Sequence, residues 1–306
     1  MPLTDVTLMA DEFRDKPPSL LRRLYEALLN VGVLVQIPCG MASLLQGSLD
    51  PSRTVIALAC GESAGPDYAG YLCAEDAFAP AIRECTLDTQ TLPAADAYRL
   101  TADSSLFFSN YTEQFSRFIR RASKPVSLCA RGGTSLSTAL TVDWLLCHSP
   151  HAVVSLMGAG GHASLAEVVM VLFLHGAGVV YPKALGAACR AFTALTGREL
   201  PPHQPVVGSS IFHVSSGVHV NGIMKDSLSY EPFPPESVGA ARRILLSRHS
   251  GTSAITARLD ALGYSREGVD IKRLLSYVRS TGEAKGEVTD GDLVLLLDMV
   301  KREVSV

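Results

Sequence analysis

Several short stretches of this chain carry residue types that could do chemistry. Cys129 and Arg131 sit two apart in Val126-Ser-Leu-Cys-Ala-Arg131. A thiolate is a strong nucleophile, and a neighbouring guanidinium lowers the pKa that produces it. The other reading is a buried, inert thiol, since the sequence identifies no partner base. Cys147-His148 and His151 have metal-ligand chemistry, or else mark a helix end and its loop. Gly158-Ala-Gly-Gly161 lies between a strand-like and a helix-like run, where backbone N–H groups can cradle phosphate. It lacks the G-x-G-x-x-G spacing with a downstream acid that marks a dinucleotide loop. Ser250, in His249-Ser-Gly251, has the chemistry of a helix N-cap.

These residues must be held by elements, and the apolar patterning predicts which. Val6–Met9 reads as an opening strand, followed by a helix entered through Pro17-Pro18 with Ser19 as N-cap. Val33–Ile37 and Thr54–Cys60 read as buried strands. Tyr71–Ala74 and Ile82–Leu87 are strand-like too, with little room for helices between them. Phe115–Arg121 is a helix, Val126–Ala130 a strand and Thr134–Leu146 a helix. Ala152–Leu156 is then a strand, Leu165–His175 a helix and Val206–Val214 a last strand. Such alternation predicts an α/β chain with a parallel sheet. After Gly217 the pattern turns helical: Glu236–Arg243, Thr252–Leu262, Ile271–Arg279 and Asp292–Arg302.

That later region carries three linked motifs: Ser215-Ser-Gly-Val-His-Val-Asn-Gly-Ile-Met-Lys225, Ser229-Tyr-Glu231 and Ser247-Arg-His-Ser-Gly251. In order and spacing they resemble the homocitrate synthase and 2-isopropylmalate synthase family, where patterns of the type SGIHVDGxxK, TYE and GKHSG follow one another. The resemblance covers residues 125–300 well, residues 3–15 weakly and the stretch between poorly. It implies a (β/α)8 barrel whose mouth binds a divalent metal, with acetyl-CoA and a 2-oxo acid as substrates. His219 then matches a histidine assisting proton transfer, Tyr230 a tyrosine near the substrate, and His249 a substrate-side position. The segment holding them reaches the neighbouring subunit's site in that family, which implies a homodimer or a heterodimer with an intact paralogue.

The family's metal ligands are another matter. Its early L-R-D-G-E-Q pattern falls on Leu8–Phe13, so the Arg-Asp pair falls on Met9 and Ala10. Its H-x-H-N-D pattern falls on Cys129-Ala-Arg-Gly-Gly133, placing Cys129 and Arg131 where imidazoles belong. Its Asn position falls on Ser164. An arginine cannot be deprotonated in proteins and repels a hard cation. The resemblance therefore implies a degenerate member with no cofactor. A working acyltransferase using Asp11 or Glu12 in a rearranged site is the alternative.

Length points the same way. If Leu8 is on strand 1 and Cys129 on strand 7, about 120 residues must hold six βα units, against about 30 per unit in a typical barrel. The expectation is a shortened or incomplete (β/α)8 TIM-type barrel over 1–214, missing units or most of their helices, then a helical subdomain over 215–306. The net charge of -3 gives no reason to invoke nucleic acid. Seven scattered cysteines without a C-x-x-C pair fit a reducing compartment, and the absence of a signal-like or membrane-length apolar run predicts a cytoplasmic chain with no membrane partner.

Overall fold

The computed structural model describes residues 3–59, 62, 68–73, 81–176 and 180–304. The chain divides into two compact units, Met1–Gly208 and Ser209–Val306.

The first unit is a closed barrel. Its strands are β1 (Leu3–Asp5), β2 (Leu34–Pro38), β3 (Thr54–Ala57), β4 (Gly70–Leu72), β5 (Ala81–Cys85), β6 (Ala97–Asp103), β7 (Val126–Arg131) and β8 (His151–Ser155). Each pairs in parallel with the next, and β1 pairs with β8 to close the ring. A short β9 (Ala163–Ser164) continues beside the far end of β8, where β7 no longer pairs. The opening strand is Leu3–Asp5 rather than Val6–Met9, since Thr7–Met9 turn as a 3-10 helix. There the Thr7 N–H is taken by the Asp5 carboxylate at 2.9 Å instead of a neighbouring strand.

All eight strands of the ring are present, and among the described residues the shortening lies in the helices. Strand β1 is followed by α1 (Pro18–Val31), β2 by α2 (Cys39–Leu44), β6 by α3 (Tyr111–Ala122) and β7 by α4 (Thr134–Cys147), while β8 leads to α5 (Leu165–Leu174) and α6 (Leu185–Thr196). Between β3 and β6 there is no helix among the described residues, and β4 joins β5 through residues 73–80 alone. Parallel neighbours are usually joined by a dozen residues or more. On this wall Arg83 does some of the covering. Its guanidinium donates to the Ala94 carbonyl at 3.3 Å and to the Cys73 carbonyl at 2.5 Å, tying the connections before and after β5 together.

Elsewhere ordinary amphipathic helices close the outside. Helix α1 buries Leu21, Leu24, Ala27, Leu28 and Val31, and each buried leucine contributes roughly 1.5–3 kcal/mol. Pro18 occupies its first turn and Pro17 its cap, so Ser19 is inside the helix and does not cap it. The Tyr181 N–H donates to the Val31 carbonyl at 2.9 Å, linking the end of α1 to the turn before α6. Trp144 of α4 is fully buried against Phe115 of α3 and donates to the His151 carbonyl at 2.8 Å. Val206–Val214 is not a strand except at its last two residues. Val206 takes a φ of 68°, a left-handed conformation that a β-branched residue cannot hold in a sheet.

The second unit has its own core, built from Val220, Leu246, Ile255, Leu259, Leu274, Val278, Leu293 and Leu297. Its helices are α7 (Gly217–Lys225), α8 (Thr252–Ala261), α9 (Ile271–Lys285) and α10 (Asp290–Val304). Two small sheets accompany them: β10 (His213–Val214) runs parallel to β11 (Arg243–Ile244), and β12 (Leu246–Ser247) antiparallel to β13 (Glu287–Val288). The helix expected over Glu236–Arg243 is instead a 3-10 turn at Pro235–Val238 ended by Gly239 at φ 69°, with Arg243 already in β11. No described helix is long and apolar enough to cross a membrane.

Candidate functional site

Laterally paired strand residues face the same side of a sheet, and the side alternates along each strand. Arg99 of β6 donates to Gln36 of β2 at 2.7 Å, a bond across the barrel that fixes both as inward. The register pairs Arg99 with Ser127, Thr101 with Cys129 and Asp103 with Arg131. Cys129 and Arg131 therefore both face the interior, one above the other at the C-terminal end. This is the end where βα barrels keep their active sites. Cys129 and Arg131 thus occupy one face of β7, as alternate residues of a strand do.

Around Cys129 the field is positive. Arg99 is 2% exposed and lies 3.8 Å from Glu84, its nearby carboxylate. His162, from the loop after β8, places Nδ1 3.8 Å from the Cys129 sulfur. Burial, then Arg131 and Arg99, bring the His162 pKa down to about 4. Burial also pushes the Cys129 thiol up, against the pull of the two arginines. Near neutral pH the pair is thus a neutral imidazole beside a protonated thiol. That is a packed contact and not an activated nucleophile.

The other positions give a divalent ion little to hold. Ala10 contributes a methyl group to a cavity of about 490 Å³ that Met9, Asp11, Arg14, Met41 and Glu62 also line. Asp11 pairs with Arg14 at 3.1 Å and Glu12 with Arg198, so both carboxylates of the alternative site are already matched by cations. Ser164 offers a neutral hydroxyl, buried and without a hydrogen-bond partner among the described residues. An alanine, a protonated thiol, a guanidinium and a hydroxyl do not fit the metal the family uses. The described residues contain no cluster of three or more His, Cys, Asp or Glu arranged for a metal.

The remaining early candidates serve the fold. Cys147 and His148 end α4, with His148 packed on Phe115 and Trp144, while His151 starts β8. In the glycine turn, Thr134 donates to the Gly158 carbonyl at 3.1 Å and Ser137 to that of Gly161 at 2.8 Å. Its conformation lets the loops after β7 and β8 touch.

In the second unit the three motifs meet through glycines. A Cβ on Gly222 would lie 2.2 Å from Tyr230 Cζ, so only a glycine lets that ring rest on α7. The ring reaches His219, with centroids 5.9 Å apart. Gly217 approaches Gly251 so closely that a Cβ would lie 2.7 Å from its nitrogen, which docks the His-Ser-Gly loop at the start of α7. Glu231, next to Tyr230, is held by both arms of Arg242 at 2.6 Å. Ser250 does not cap α8, whose cap is Gly251; its hydroxyl accepts from the Ser247 N–H at 2.9 Å. His249 stands apart from the His219–Tyr230 pair and accepts from Arg248 Nε at 3.0 Å.

Residues 206–286, which hold all three motifs, match the family model described as homocitrate synthase post-HMGL domain-like. Among similar proteins is (R)-citramalate synthase CimA of Methanocaldococcus jannaschii, 30% identical over 60% of this chain and 39% of that protein. Another, from Methanoculleus marisnigri and provisionally given the same name, is 34% identical over 58% of this chain and 36% of its own length. A third, from Ignicoccus hospitalis and provisionally named 2-isopropylmalate synthase, is 32% identical over 61% and 49%. Over these stretches the chain is similar to the homocitrate synthase and 2-isopropylmalate synthase family. It spans between 36% and 49% of the length of these relatives.

Family reasoning from the sequence did not bring forward Arg99, Gln36 or His162. A charged residue inside Ala97–Asp103, a run that otherwise alternates as a strand, was the available signal for Arg99. Nothing in the sequence places His162 beside Cys129, because the glycine turn that swings it there has no periodicity to read.

Proposed function

We propose that this chain is a homocitrate synthase-like protein that does not catalyse acyl-CoA condensation by itself, and that it acts as a complementing or regulatory subunit of an intact paralogue. One observation carries the first half. On the inward face of β7, where the family chemistry needs neutral imidazoles, stand a buried thiol and a permanently charged guanidinium. A cation there would be repelled, and without it nothing polarises the 2-oxo acid's carbonyl. The second half is supported by what the other unit retains. His219 and Tyr230 keep a defined contact, and around them Val218, Met224, Leu228 and Tyr230 are 74, 65, 71 and 48% exposed. Apolar side chains grouped so openly suit burial against another subunit.

The test has two arms. Purified chain, given acetyl-CoA with 2-oxoglutarate or 2-oxoisovalerate and Mg²⁺ or Mn²⁺, is expected to release no free CoA above background. Metal-dependent release would favour a working acyltransferase with a rearranged site. Co-expressed with a related intact synthase whose own subunit-crossing histidine is mutated, the chain is expected to restore activity, and His219→Ala to abolish the rescue. Failure to form a mixed dimer on a sizing column rules the partnership out.

A further inference from the structure

The Ser247–Gly251 motif is not used by the function proposed above, and its geometry suggests a use of its own. Its backbone is fixed without help from its basic side chains. The Ser247 N–H is held by Ser250 Oγ at 2.9 Å, the His249 N–H by Ser247 Oγ at 3.2 Å, and the Ser250 carbonyl by Arg279 Nε at 3.0 Å. Gly282 of α9 presses on the same loop, and a Cβ there would lie 2.5 Å from the Arg248 nitrogen. Arg248 and His249 are exposed.

Both side chains line a groove of about 600 Å³ with Ser276, Arg279, Ser280 and Glu283. The last four fall at i, i+3, i+4 and i+7, one stripe of α9. Five other arginines of this unit have carboxylate partners: Arg242 with Glu231, Arg243 with Glu287, Arg258 with Asp290, Arg266 with Asp260 and Arg273 with Glu303. Among the described residues neither Arg248 nor Arg279 has a carboxylate partner, yet these two share one groove. Two unmatched guanidiniums with two serine hydroxyls beside them form a donor set for a multivalent oxoanion. His249, which accepts from Arg248 Nε at 3.0 Å, lines the same groove. Glu283 adds one acceptor, suited to a hydroxyl or amino group on the same ligand.

We infer that the groove between the Arg248–His249 loop and the Ser276–Glu283 stripe of α9 is a binding site for a diphosphate group. It lies wholly within the second unit and does not depend on whether the barrel is active. The test is calorimetric titration of the full chain with pyrophosphate, and with citrate as a polycarboxylate of comparable charge. Saturable pyrophosphate binding is expected, weakened about tenfold by Arg248→Gln, since one charge-assisted pair is worth on the order of one tenfold step. Arg248 contributes only its side chain, so the loop backbone survives the change. Ser276→Ala with Ser280→Ala provides a second variant expected to weaken binding. Lys272→Gln, which removes an exposed charge from α9 outside the groove, is expected to leave it unchanged. Tighter binding of citrate than of pyrophosphate overturns the phosphate assignment. Lack of saturable binding, or equal losses in Arg248→Gln and Lys272→Gln, overturns the site.

Discussion

Asp5 closes β1 with its carboxyl fully enclosed, one oxygen accepting from the Thr7 N–H and the other without a partner among the described residues. Burial raises its pKa from 3.8 to about 7. Between those values the folded chain holds a proton that the unfolded chain releases. Stability is therefore lost as pH rises through this window, and the full cost is present above it. His162 works in the opposite sense: with its pKa brought down to about 4, its burial costs stability as pH falls below about 6.5. The wild-type slope mixes both effects, so a variant comparison is the clean measurement. Asp5→Asn keeps an acceptor for Thr7 and removes the charge. Its advantage in urea unfolding, followed by the single Trp144, is expected to grow from near zero at pH 4 toward about 4 kcal/mol above pH 7. A gap that does not change with pH would refute the assignment.

At the scale of elements, Gly222 puts two principles against each other. Inside an exposed helix, glycine to alanine stabilises by about 1 kcal/mol. In α7 the new methyl would instead collide with the Tyr230 ring. Gly222→Ala is expected to destabilise the second unit by roughly 1–3 kcal/mol and to shift the His219 ring resonances, because overpacking displaces the ring that His219 touches. Stabilisation with unchanged His219 resonances would mean that the contact is incidental. Elements with long apolar periodicity were legible in the sequence: α1, β7, α4, β8 and α5 lie within a few residues of their expected bounds. Strand β6 and helix α6 were passed over, since one turns its polar residues Arg99, Thr101 and Asp103 into the barrel and the other is rich in small residues. Val206 and Gly239 broke two expected elements through backbone conformations that composition does not reveal. The inward aim of Cys129 and Arg131 was legible from the alternation of a strand, whereas the Arg99–Gln36 bond, which joins distant strands, was not.

For the whole molecule, the short connection between β4 and β5 sets the order in which the barrel can assemble. Leu72 pairs with Ile82 across a very short connection, while closing the ring requires Thr4 to find Val153. For a flexible chain that difference in loop length amounts to about 2 kcal/mol of closure entropy. Strands β4 to β6 are thus the local contacts that a collapsing chain can form first, and the β1–β8 seam comes last. Pulse-labelled hydrogen exchange during refolding should protect amides of β5 and β6 before those of β1; simultaneous protection would contradict this order. Strands β4 to β6, with their clasping Arg83, then serve as the template on which the rest of the ring is laid down. What looks like erosion in the finished barrel becomes a head start on the folding pathway.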